Sequence, residues 1–187
     1  MKRTVAAIGA AFLVAGGQVA QAQQQLVYTV VVPAGQFGSA NFLKEIVGSL
    51  ATLQAFCGEL SDASYRVDCL SERLEAVSGD IPEGTDYDEV RSILQDTSAK
   101  LERLALDNRD RTKGRINVSS AQEGGDATAR PLVPVDAGRQ LAVNQQAEAI
   151  LEEARTVLLR SAGSKLRQSQ YTRIAQAIDS SKVLLRS

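Results

Sequence analysis

CGELSDASYRVDC, residues 57–69, holds the only two cysteines of this 187-residue chain. Whether they pair decides the fold. In one continuous helix their Cα atoms would stand about 18 Å apart, at 1.5 Å of rise per residue. A disulfide needs them within about 7 Å. Pairing therefore requires the backbone to reverse between them. The midpoint is Ala63, inside Ser61-Asp62-Ala63-Ser64, residue types that favour turns and N-caps. Two antiparallel helices turning there bring the sulfurs level, and closing so short a loop stabilises the fold by about 3 kcal/mol.

The flanking periodicity supports that reading. Leu43, Ile46, Leu50, Leu53, Cys57 and Leu60 repeat at alternating spacings of three and four, one stripe of a helix with coiled-coil rhythm. Val67, Leu70, Leu74 and Val77 continue the rhythm after the turn. Cys69 sits one residue before Leu70, about 100° round the helix, so the bridge is expected on the flank of the apolar seam. Gly79 and Pro82 mark the end of this second helix. Thr85 and Asp88 resemble a capping box. Behind them Tyr87, Val90, Leu94, Thr97, Leu101 and Leu104 predict a helix over 86–106.

Residues 107–135 mix charges, glycine, serine and proline without a period, and read as a long mobile connection. Asp136 is the expected N-cap of a further helix carrying Val143, Ala147, Ile150, Ala154 and Val157. Ser161-Ala162-Gly163-Ser164 breaks it, and a last helix carries Tyr171, Ile174, Ile178 and Leu185. The expected fold is mainly α, a bundle of helical hairpins with about five helices. Aromatic residues make up 4% of the chain, too few for the core of a β-sandwich.

The N-terminus speaks to compartment. Lys2 and Arg3 precede an apolar run over residues 4–15, and Ala20-Gln21-Ala22 offers small residues for cleavage. These are the three parts of a secretory signal peptide over 1–22. The apolar run is shorter than the roughly 20 residues of a membrane span, so no span is expected after cleavage. Residues 23–35 include LVYTVVV at 26–32 and read as an extended arm. A disulfide-stapled helical region over 36–106, the flexible connection over 107–135 and a C-terminal helical hairpin over 136–187 complete the organisation. The expected location is the periplasm or the exterior, where a disulfide persists.

Chemistry is limited by what is missing. The chain has no histidine, which excludes histidine-based triads, proton shuttles and metal sites. Phosphate-binding glycine loops and nucleophile elbows do not occur. No cofactor, metal or catalytic residue is assigned, and the chain is read as a non-enzyme.

Three clusters remain. Asp80, Glu83, Asp86, Asp88 and Glu89 could gather around calcium, but acids at a helix start also offset its dipole. Glu148 and Glu152 lie four apart, with Glu153 beside them, as paired carboxylates of a small envelope hydrolase would, yet Arg155 and Arg160 can neutralise them. The basic run Arg109, Arg111, Lys113 and Arg115 lacks an aromatic residue for base stacking, and the net charge of −1 gives no reason to expect nucleic acid.

The expected function is therefore binding or scaffolding through helix–helix contacts, with a protein partner or with the chain itself. The stripes over 43–60 and 87–104 are the candidate faces, and a carboxylate hydrolase is the alternative. Mass spectrometry of the exported protein should find a chain beginning at Gln23. Recovery only of chains that retain residues 1–22 would contradict the signal-peptide reading.

Overall fold

The computed structural model describes residues 40–120 and 126–186. The signal segment 1–22 and the arm 23–35 lie outside the described residues. Five helices follow in order: α1 (Ala40–Gly58), α2 (Arg66–Gly79), α3 (Asp88–Asp107), α4 (Gln140–Arg160) and α5 (Lys165–Ser180). A single turn, α6 (Val183–Arg186), ends the described chain. No strand forms among the described residues. The fold is a mainly α bundle, as its periodicity predicts.

The reversal falls where the cysteines require it. A 3-10 turn at Ala63–Tyr65 separates α1 from α2, and the Asp62 side chain caps it by accepting from the Ser64 amide at 3.0 Å. Cys57 and Cys69 are joined, their Cα atoms 5.8 Å apart. Both are fully buried, in a small apolar cluster with Phe56, Leu60, Tyr65 and Leu132. That cluster is separate from the main core, which is the flank position that the offset of Cys69 from Leu70 implies.

The main core is built from the helical stripes. Leu43, Ile46, Leu50 and Leu53 of α1 are buried, as are Val90, Leu94, Thr97 and Leu101 of α3. The candidate faces over 43–60 and 87–104, expected to be partly covered unless a closed bundle buries them, are buried as core. Helix α2 lies against both α1 and α3, and α4 and α5 close the bundle, so the stripes face one another inside it. Only Leu104 is partly exposed. On the α2–α3 seam Ser71 Oγ donates to the Ser98 carbonyl at 2.9 Å, and Ser98 Oγ donates back to the Ser71 carbonyl at 2.8 Å.

Boundaries moved where local chemistry differed from the expected cap. Gly79 stays within α2, and Asp80 follows it in a right-handed helical conformation. Among the described glycines only Gly84 takes a positive φ, of 74°. Only half of the box at Thr85 and Asp88 forms, and the N-cap position falls to Tyr87, whose side chain makes no capping bond. Asp88 accepts from the Thr85 and Gly84 amides, Thr85 Oγ1 accepts from Tyr87, and α3 begins at Asp88. Asp136 turns the chain instead of capping α4, accepting from Gly138 at 2.9 Å, and the helix starts at Gln140.

The connection over 107–135 differs most from its sequence reading. Its described parts fold back on each other through isolated antiparallel bridges at Arg109–Val135, Ile116–Leu132 and Ser119–Ala127. Leu132, Val133 and Val135 are buried. The physical reason lies on α2, where every residue from Val67 to Leu74 is buried. That run includes Asp68 and Glu72, and a buried charge needs partners.

The connection supplies those partners. Arg130 reaches Asp68 with two nitrogens, at 2.7 and 2.9 Å, and the Val133 amide donates to the same carboxylate at 2.7 Å. The Ala129 amide donates to Glu72 at 2.7 Å. Glu72 is also held by the fork of Arg73, which in turn donates to the Ala127 carbonyl at 2.8 Å.

The turn between α1 and α2 is clamped by the same segment. Lys113 pairs with Asp62 at 2.7 Å, the Tyr65 hydroxyl donates to the Gly114 carbonyl, and the Val135 amide donates to the Ser64 carbonyl. The Lys113 ammonium and the Ser64 hydroxyl and amide hold the Asp62 carboxyl down at about 2, so this clip stays charged through mild acid.

Asp68→Ala leaves the buried Val133 amide without its acceptor and a quarter-exposed Arg130 with only Ser71 Oγ and the more distant Glu102. It should cost about 3 kcal/mol in urea unfolding of the oxidised protein, and Asp68→Asn less, because its amide oxygen still serves Val133. A loss under about 1 kcal/mol for the alanine variant would contradict the anchoring role.

Candidate functional site

The acidic residues of 80–89 do not converge. Glu83 pairs with Arg91 at 2.6 Å, and Asp86 with Arg167 at 2.9 Å. Asp88 is spent on its capping bonds. No group of ligating side chains among the described residues is placed to hold a metal ion.

The α4 carboxylates are each taken by a cation. Glu148 receives the fork of Arg186 at 2.8 and 3.1 Å. Glu152 is held by Lys182 and by Arg155, and Glu153 by Lys100 at 3.1 Å. Arg186 lowers the Glu148 carboxyl below the ordinary glutamate range, and Lys182 with Arg155 does the same to Glu152. A general acid needs the opposite shift.

Of the basic run, Lys113 is engaged with Asp62, while Arg111 and Arg115 are exposed. Tyr171 is buried and donates from its hydroxyl to the Asp86 carbonyl at 3.0 Å.

What the molecule does offer is a groove between α1 and α2. It lies along the halves of these helices remote from the disulfide. Two adjoining hollows of about 370 and 210 Å³ share Glu45, Ser49, Val77 and Asp80. Residues 45, 48, 49 and 52 share one side of α1, and 73, 76, 77 and 80 one side of α2, by the three-and-four spacing. Gly48, Ser49 and Ala76 keep the walls low, and a Cβ built on Gly48 meets nothing within 4 Å. The floor is apolar, with Leu53 and Val77 inward and Phe42, Ile46 and Ile81 toward the open end.

The rim is acidic. Glu45, Asp80 and Asp126 are exposed and form no ion pair with a described residue. The one cation lining it, Arg73, is paired with Glu72, which raises its pKa, and the charge of Asp126 adds to that shift. It also lies over the Phe56 ring at 5.1 Å.

A third hollow, of about 310 Å³, lies between α3 and α4 over Ile93, Ile150, Ala154 and Val157. Lys100 on α3 spans it, pairing with Asp96 at 2.8 Å and with Glu153 of α4 at 3.1 Å. Lys100 thus answers two of the carboxylates that line it, whereas Glu45 and Asp80 of the α1–α2 groove form no ion pair with a described residue.

Sequence reasoning missed the groove and the buried pairs. Small residues off the apolar stripe at 48, 49 and 52 were the available signal for the groove. Nothing local links Arg130 to Asp68. No family model, curated protein or solved structure matches this chain. No helix among the described residues is long and apolar enough to cross a membrane.

NMR titration of the side-chain carboxyls should give midpoints for Glu148 and Glu152 below that of an ordinary glutamate. A midpoint for either near neutral pH would contradict the pairing and revive acid catalysis.

Proposed function

We propose that this is an exported, periplasmic or secreted protein that binds or scaffolds through helix–helix contacts and carries no catalytic chemistry. Export is supported by Lys2 and Arg3, the apolar run after them and the small residues before Gln23. The buried Cys57–Cys69 bridge is compatible with that compartment. The observation that carries the binding role is the α1–α2 groove. It joins an apolar floor to low walls, and the rim carboxylates Glu45 and Asp80 form no ion pair with a described residue.

A groove of this kind suits a helix. Low walls let a second helix approach closely, and apolar anchors spaced three and four apart fill the floor. The disulfide and the anchored connection hold the groove's walls before binding, which reduces the entropy lost on association. A carboxylate hydrolase draws no support, because the paired acids of α4 are each neutralised by a neighbouring cation.

A photoreactive residue at Thr52, in the groove, should give discrete protein adducts in the exported compartment. The same residue at Gln95, exposed on α3, should give none. Equal labelling at both positions, or no protein adduct at Thr52, would reject the reading.

A further inference from the structure

An exposed knob of opposite character lies at the same end of the bundle as the groove's mouth. Leu166, in the first turn of α5, is 59% exposed. Lys165 and Arg173 flank it, both exposed and neither ion-paired with a described residue. Arg173 follows Leu166 by seven residues, nearly two full turns, and so shares its side of the helix.

The 80–87 loop joins knob and groove. Arg167 and Tyr171 of α5 both bind Asp86, through its carboxylate and its carbonyl. One residue on, the Tyr87 ring meets Phe42 of the groove edge-on, centroids 5.1 Å apart. Ile81 of the same loop lines the groove mouth.

We propose that the occupant of the groove is a second copy of this chain, with Leu166 of each copy seated in the α1–α2 groove of the other. Lys165 and Arg173 then face Glu45 and Asp80 across the rim. Because knob and groove share one end of the bundle, a two-fold arrangement fills both grooves at once and closes the assembly as a dimer. The inference rests on the helix-contact reading above and names the partner for that site. One leucine anchor with rim ion pairs makes a weak, salt-sensitive interface, with Kd on the order of micromolar or higher.

Sedimentation velocity of the oxidised full chain, from about 1 to about 500 µM, tests this. The expected result is a monomer–dimer equilibrium that weakens as salt is raised. Leu166→Asp, at an exposed position, should abolish the dimer. Asp80→Lys and Arg173→Glu should each weaken it about tenfold or more, and the two together should restore it. A monomer at every concentration overturns the proposal, as does a dimer indifferent to Leu166→Asp or a charge swap without rescue. Adducts from Thr52 to other proteins alone would also overturn it, while leaving the wider binding role standing.

Discussion

Two carboxylates one turn apart on α2, Asp68 and Glu72, set the terms for the rest of the molecule. Both lie in the stretch of α2 that is buried on every side. Left unpaired, each would cost several kcal/mol in a medium that solvates charge poorly. Asp68 is satisfied from far along the chain, by Arg130 and the Val133 amide, while Glu72 is paired with its neighbour Arg73 and accepts from the distant Ala129 amide. Once those bonds are made, the position of 126–135 follows. Leu132 lands against the disulfide cluster, and Val135 reaches the carbonyl of Ser64 in the turn. A charge problem inside one helix thus becomes the means of ordering a segment rich in loop residues.

The disulfide and these pairs act on different ends of the α1–α2 hairpin. The bridge holds the helices level at the turn, with the Cα atoms 5.8 Å apart. Farther along, small residues stand where large ones would fill the seam, and the groove opens over an apolar floor. Burial consumes the long apolar stripes, so recognition falls to what burial leaves over. That includes a short apolar trough with an acidic rim and, at the same end of the bundle, the exposed Leu166 between two cations.

The legible parts were those governed by local rules. Alternating spacings of three and four located α1, α2 and α3 to within a few residues. The demand that Cys57 and Cys69 meet located the reversal at Ala63. Thr85 and Asp88 marked the start of α3 to within two residues, because the bonds they make in the preceding turn join near neighbours. The offset of Cys69 from Leu70 placed the bridge beside the main seam. The failures were non-local. Arg130 lies 62 positions from Asp68, and no spacing rule couples them, so glycine, serine and proline in 107–135 read as a mobile connection. The stripes read as candidate faces because periodicity shows which side of a helix is apolar and not what covers it. Gly79 resembled a C-cap by type, but its backbone stays helical.

The central claim is that α2 holds the connection in place through its buried carboxylates. Native-state hydrogen exchange of the Ala129 and Val133 amides tests this most directly, since they donate to Glu72 and Asp68. The account predicts protection close to that of the amides in the middle of α2, lost only when the whole domain opens. Exchange of both amides at the rate of an unstructured chain, with α2 still protected, would contradict it.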